Sequence, residues 1–217
     1  MTANNMTAVI PNFDKYYFWS ESRPVVARPI RRQEEKAPTP LVIDLYIMMQ
    51  QSKSYDYIIA NFSKELSMMR INACYEVAKV ISKASSKNLA IHGFNKAEAQ
   101  ADCINGMNIL PSTLIFLCYV EGRNILHKKG DAYFWESTEG DVTIVDYDKM
   151  TMLENADPTC IVNTCVRITN VTKPLKSIHS YKLSELQEIQ SKLSKVPSNL
   201  TTKKDIYEAI QGILLPF

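Results

Sequence analysis

The sequence predicts an α+β fold, on three observations. Residues 41 to about 105 carry apolar side chains at helical spacing, and so does the stretch from about 180 to 215. Between them, residues 111 to about 171 change to short apolar or alternating runs broken by turn residues, the signature of strands. The first 40 residues follow neither period. The expected organisation is an extended arm over 1–40, an α+β core over 41–172, and a helical hairpin over 173–217. The core would combine a helical layer with a small, mostly antiparallel sheet, because the links between its strands look too short for crossover helices.

The arm joins an aromatic patch (Phe13, Tyr16, Tyr17, Phe18, Trp19) to a proline- and arginine-rich stretch. Pro24, Pro29, Pro38 and Pro40 disfavour helix and favour extended backbone. Arg28, Arg31 and Arg32, with Arg23 and Lys36, outweigh Glu34 and Glu35. Such a segment either packs its aromatics on this or a neighbouring subunit, or contacts nucleic acid through arginine and stacking.

In the helical region, Leu45, Met48 and Met49 begin an i, i+3, i+4 pattern. Ile58, Ile59, Phe62 and Leu66 continue it, and Met69, Ala73, Val77, Val80 and Ile81 form a further stripe. The methionines (Met48, Met49, Met68, Met69) read as core filling. Asn95 caps a short helix with Glu98 at its third position, and Gly106 is placed to end it. Leu114–Val120 suits a buried strand or a short helix, and Glu121–Asn124 reads as a hairpin turn. Tyr133–Trp135 and Val142–Val145 read as strands. Cys160, Val162, Thr164, Val166 and Ile168 alternate along one expected strand face.

Composition narrows the function classes. Of 217 residues, 46% are apolar and 22% charged, enough for a packed core. Only six are glycine, and none lies in a GxGxxG or GxxxxGK[ST] pattern, which disfavours the common nucleotide-binding enzymes. No apolar run approaches the ~18 residues of a membrane span, and none near the start resembles a signal peptide. Five cysteines without a signal sequence point to reduced thiols in an intracellular setting, cytoplasm or nucleus. The CxxxxC spacing of Cys160 and Cys165 and the scattered His92, His127 and His179 suggest no metal or other cofactor.

The net charge of +2 hides unlike blocks. Residues 131–158 carry eight acids against Lys149, for −7. Residues 173–204 carry seven lysines against Glu185 and Glu188, for +5. A basic end of this kind suits a polyanion, or acidic patches on other copies of the chain.

Both C-terminal helices carry start signals. Ser184-x-x-Gln187 and Thr202-x-x-Asp205 have capping-box spacing. Leu186, Ile189 and Leu193, then Ile206, Ile210, Ile213 and Leu214, supply apolar stripes. The unit resembles the SAP motif and the N-terminal motif of the transcription terminator Rho. The matching residues are Leu183, Ser184, Glu185, Leu186 and Leu193, then Thr202, Lys203, Lys204, Asp205, Ile206 and Ile210. The loop departs from those families, with Ser194-Lys-Val-Pro197 where a glycine or small residue usually stands.

The resemblance covers about a sixth of the chain. It implies nucleic-acid backbone binding with little base preference, to DNA before RNA, and modules of this type also occur on proteins of large DNA viruses. Thr202, Lys203 and Lys204 would meet phosphate at a helix N-terminus, with Lys182, Lys192 and Lys195 flanking the same groove.

Non-catalytic nucleic-acid binding is the leading expectation. One alternative is a structural or assembly protein, virion-associated if viral, whose arm and hairpin join a homo-oligomer or larger assembly. The other is a metal-dependent nuclease using Asp141, Asp146 and Asp148, the last two sharing a strand face. No membrane partner is expected.

Overall fold

The computed structural model describes residues 38–85, 89–104, 107–136, 139–214 and 217. The expected arm, with Arg28, Arg31 and Arg32, lies outside them apart from Pro38–Pro40. The described chain is α+β: a helical layer, a five-stranded sheet and a C-terminal pair of helices.

The helical layer comprises α1 (Val42–Gln51), α2 (Tyr55–Phe62), α3 (Leu66–Lys83), α4 (Lys96–Ile104) and α5 (Pro111–Val120). Ser54 Oγ caps α2 by accepting from the Tyr57 N–H at 3.3 Å. Asn95 Oδ1 caps α4, accepting from Ala97 and Glu98 N–H at 3.1 and 3.4 Å, as the sequence predicts. The position expected to end that helix, Gly106, lies outside the described residues.

A buried ion pair ties α1 to α3. Arg70 Nε and Nη2 donate to the two oxygens of Asp44 at 2.8 and 2.6 Å. Asp44 Oδ2 also accepts the Leu41 N–H at 2.7 Å, which satisfies an otherwise free donor where α1 begins. On α3, Ala73, Val77 and Ile81 face the core. The methionine stripe divides: Met48 is buried, whereas Met68 stands 60% exposed beside Ile71 and Tyr75 on the outer face of α3.

Leu114–Val120 resolves as helix, because Pro111 opens α5 at its first position. Its apolar residues lie on every side because α5 is buried, with Thr113 through Cys118 all inaccessible.

The sheet contains β1 (Ile125–Lys129), β2 (Ala132–Phe134), β3 (Thr143–Asp146), β4 (Thr151–Leu153) and β5 (Val166–Ile168), in the order β4-β3-β1-β2-β5. Two hairpins, β1–β2 and β3–β4, are antiparallel, while β1–β3 and β2–β5 are parallel. The sheet is therefore mixed rather than mostly antiparallel. The β2–β3 link crosses past β1, and the link between β4 and β5 contains the short helix α6 (Thr159–Thr164). Cys160, Val162 and Thr164 belong to that helix, so the expected long strand shrinks to β5. Asp157 Oδ1 starts α6 by accepting from Thr159 N–H at 2.9 Å.

Strand alternation divides the apolar residues between two faces. Ile125, Phe134, Val145, Val166 and Ile168 join the main core with the helical layer. Leu126, Tyr133, Ile144 and Cys165 make a smaller cluster on the other face, covered in part by Ile161 and Val162 of α6.

Candidate nucleic-acid interface

The C-terminal pair consists of α7 (Leu183–Lys192) and α8 (Lys203–Ile213). The α7 start lies two residues before the Ser184 cap expected from sequence. The Glu185 carboxylate accepts the Lys182 N–H at 2.6 Å, so Lys182 is the cap position and Ser184 sits inside the first turn. Thr202 caps α8 as predicted, its Oγ1 accepting the Asp205 N–H at 3.1 Å. The facing sides bury Leu186, Leu193, Ile206 and Ile210.

The connection is held at several points. Gln190 Nε2 donates to the Pro197 carbonyl at 2.6 Å, and Val196 is buried. Ser194 donates through its N–H and hydroxyl to Asp131 Oδ2 at 3.1 and 2.8 Å, which fixes the connection to the β1–β2 turn. Beyond α8, the Phe217 N–H donates to the Val171 carbonyl at 3.0 Å, and the Phe217 ring meets the Tyr147 ring edge-on. The hairpin thus shares the apolar core of the helical layer and sheet.

The expected site residues are distributed as follows. Lys182, Lys195, Thr202 and Lys204 are exposed, whereas Lys192 and Lys203 are half-buried. Lys192 and Lys204 each lie near a glutamate one turn away, Glu188 at 3.7 Å and Glu208 at 3.8 Å. Lys182, Lys195 and Lys203 have no carboxylate within 4 Å among the described residues. The Thr202 hydroxyl is committed to the helix cap.

These lysines do not line one groove. Lys192 lines a depression of about 690 Å³ between β5 and α7, together with Arg167, Lys173 and Lys176. Lys195 lines a different one of about 300 Å³, beside Lys129, Asp131 and Asp148. Lys182, Lys203 and Lys204 line neither.

No family model, curated protein or solved structure matches the chain.

Sequence reasoning missed Arg167, Lys173 and Lys176 as groove residues. The two lysines were visible as charge, but only the fold brings Arg167 of β5 beside them. A larger depression of about 770 Å³ beside β4 has balanced charge, with Lys53 and Lys149 against Asp56 and Glu154.

The acidic triad of the nuclease alternative does not form a donor cluster. Asp146 closes β3, but Asp148 lies in the following turn rather than on the same strand face. Asp146 Oδ1 accepts the Asp148 and Lys149 N–H groups at 3.0 and 3.1 Å. Lys128 Nζ pairs with Asp146 at 3.2 Å and Asp148 at 3.4 Å. Burial works against the Lys128 charge, yet the two carboxylates prevail and raise its pKa. Among the described residues, no three His, Cys, Asp or Glu side chains gather as metal ligands. No described helix is long and apolar enough to cross a membrane.

Proposed function

We propose that the chain binds nucleic acid through its C-terminal helical hairpin, by backbone contacts and without catalysis. The observation that carries this reading is that Lys182, Lys195 and Lys203, on a hairpin anchored to the core, have no carboxylate within 4 Å among the described residues. Uncompensated lysines on a fixed scaffold suit phosphate, because each contact releases a condensed counterion. Lys204 joins them when phosphate outcompetes Glu208, since an exposed i, i+4 pair is worth only a few tenths of a kcal/mol. The side-chain resemblance to SAP-type modules supports the same reading, with DNA the first ligand to try. The assembly role, alone or in a virion, is the competing reading.

The test is a binding titration on duplex DNA over a salt series. Binding should weaken with a log–log slope of about 0.9 for each phosphate neutralised. The double substitution Lys203→Glu/Lys204→Glu should lower duplex affinity by about tenfold or more and flatten the slope. Unchanged duplex binding in that variant would remove the hairpin from the interface.

A further inference from the structure

We infer that the groove between β5 and α7 is a site for a single, unpaired polynucleotide strand. This rests on the nucleic-acid reading and adds a second site with its own ligand form.

The first support is charge. Arg167, Lys173, Lys176 and Lys192 line the groove, against one acid, Glu188. Glu188 lies 3.7 Å from Lys192 Nζ, and Glu136, outside the lining, lies 3.9 Å from Arg167 Nη2, so the two lysines Lys173 and Lys176 are the cations left over. The Lys173 and Lys176 ammonium groups have no carboxylate within 4 Å among the described residues.

The second is the apolar lining. Ile91, which is 66% exposed, and Tyr181 and Ile189 of the same groove offer surfaces that phosphate alone cannot use. A duplex keeps its base faces stacked inside and presents only backbone. An unpaired strand brings phosphates for the lysines and base faces for the apolar lining, the pairing found in single-strand sites.

The third is that the cation-bearing segment is held in place. The Lys176 N–H donates to Tyr181 Oη at 3.0 Å, and Tyr207 Oη donates to the Lys176 carbonyl at 2.9 Å. The Lys173 N–H donates to Asn170 Oδ1 at 2.8 Å. Both lysines therefore project from fixed backbone, which lowers the ordering cost of binding.

Fluorescence anisotropy of the full chain with labelled oligo-dT of about ten nucleotides, and with a duplex of equal length, tests this. Lys173→Glu/Lys176→Glu should lower oligo-dT affinity by about tenfold or more and reduce the salt slope by about 1.4. Duplex affinity should change by much less. Ile91→Asp, in the apolar part of the same groove, should lower oligo-dT affinity while duplex binding persists. Three results would each overturn the groove site: equal losses on both forms, no loss on oligo-dT, or displacement of oligo-dT by polyglutamate at equal charge, which marks an acidic-peptide site. Selective loss of oligo-dT binding here, alongside unchanged duplex binding in Lys203→Glu/Lys204→Glu, sustains the groove and removes the hairpin. The reverse pattern sustains the hairpin and removes the groove. If the native chain binds neither oligonucleotide, both fall.

Discussion

His127 of β1 is buried with Tyr147, and the two share a 2.9 Å hydrogen bond. Burial alone pushes the imidazole pKa down to about 3, so the folded chain holds it neutral. The unfolded chain has an ordinary imidazole near pH 6.5 and binds the proton more readily. Stability from this residue is therefore complete above pH 6.5 and drains away as pH falls toward 3. The slope in that window is about 1.4 kcal/mol per pH unit. Urea denaturation at pH 7 and pH 5 should differ by about 2 kcal/mol from this source, and His127→Gln should remove that part of the difference. An unaltered pH difference in the variant would assign it to other groups. Neither His127 nor the Asp44–Arg70 pair was legible as a buried polar site in the sequence. Both depend on neighbours distant in the chain, and one sequence carries no local signal for such contacts.

At the level of elements, legibility followed periodicity. The helices α1 to α3, α7 and α8 announce themselves because each repeats apolar residues at helical spacing, whereas α4 is announced by its Asn95 cap. Buried α5 has no polar face to set a period, so composition could not separate it from a strand. The short β1 and β4 were missed because three to five residues carry too little pattern, and α6 was hidden inside an accidental alternation. Gly93 shows a constraint of another kind. Its φ is +77°, and a Cβ there would fall 2.6 Å from Thr172 Oγ1 and closer still to Asn170 Oδ1. That close approach seats the loop carrying Lys173. The caps at Thr202 and Asn95 were legible because they act through residues two or three positions away, whereas the one expected at Ser184 gave way to Lys182. Thr202→Ala should therefore destabilise α8 by about 1 kcal/mol in chemical denaturation, while Thr202→Ser should keep the cap. If Thr202→Ala leaves stability unchanged, the hydroxyl is free for a ligand instead.

Across the molecule, the charge blocks seen in the sequence have unequal meaning. Much of the acidic block is used internally: Asp131 holds Ser194, Asp146 and Asp148 hold Lys128, and Asp157 starts α6. The basic block is less compensated, which is why the candidate sites lie there and why the sum of +2 was uninformative. The same whole-molecule view applies to the cysteines. Cys74, Cys103, Cys118 and Cys165 are buried, and Cys160 on α6 is exposed. Burial raises the Cys74 thiol pKa and pushes those of Cys103 and Cys118 up to about 12, so these sites hold little thiolate near neutral pH. A disulfide reagent should modify Cys160 quickly in the native chain and all five in denaturant, read by peptide mass spectrometry. Cys74, Cys103 and Cys118 occupy the main core, whereas Cys165 belongs to the smaller cluster under α6. If the two clusters unfold as one cooperative unit, pulse labelling will give all four buried thiols the same denaturant midpoint. An earlier midpoint at Cys165 alone would mean that the outer face of the sheet opens first, carrying with it β5 and the wall of the groove that holds Arg167.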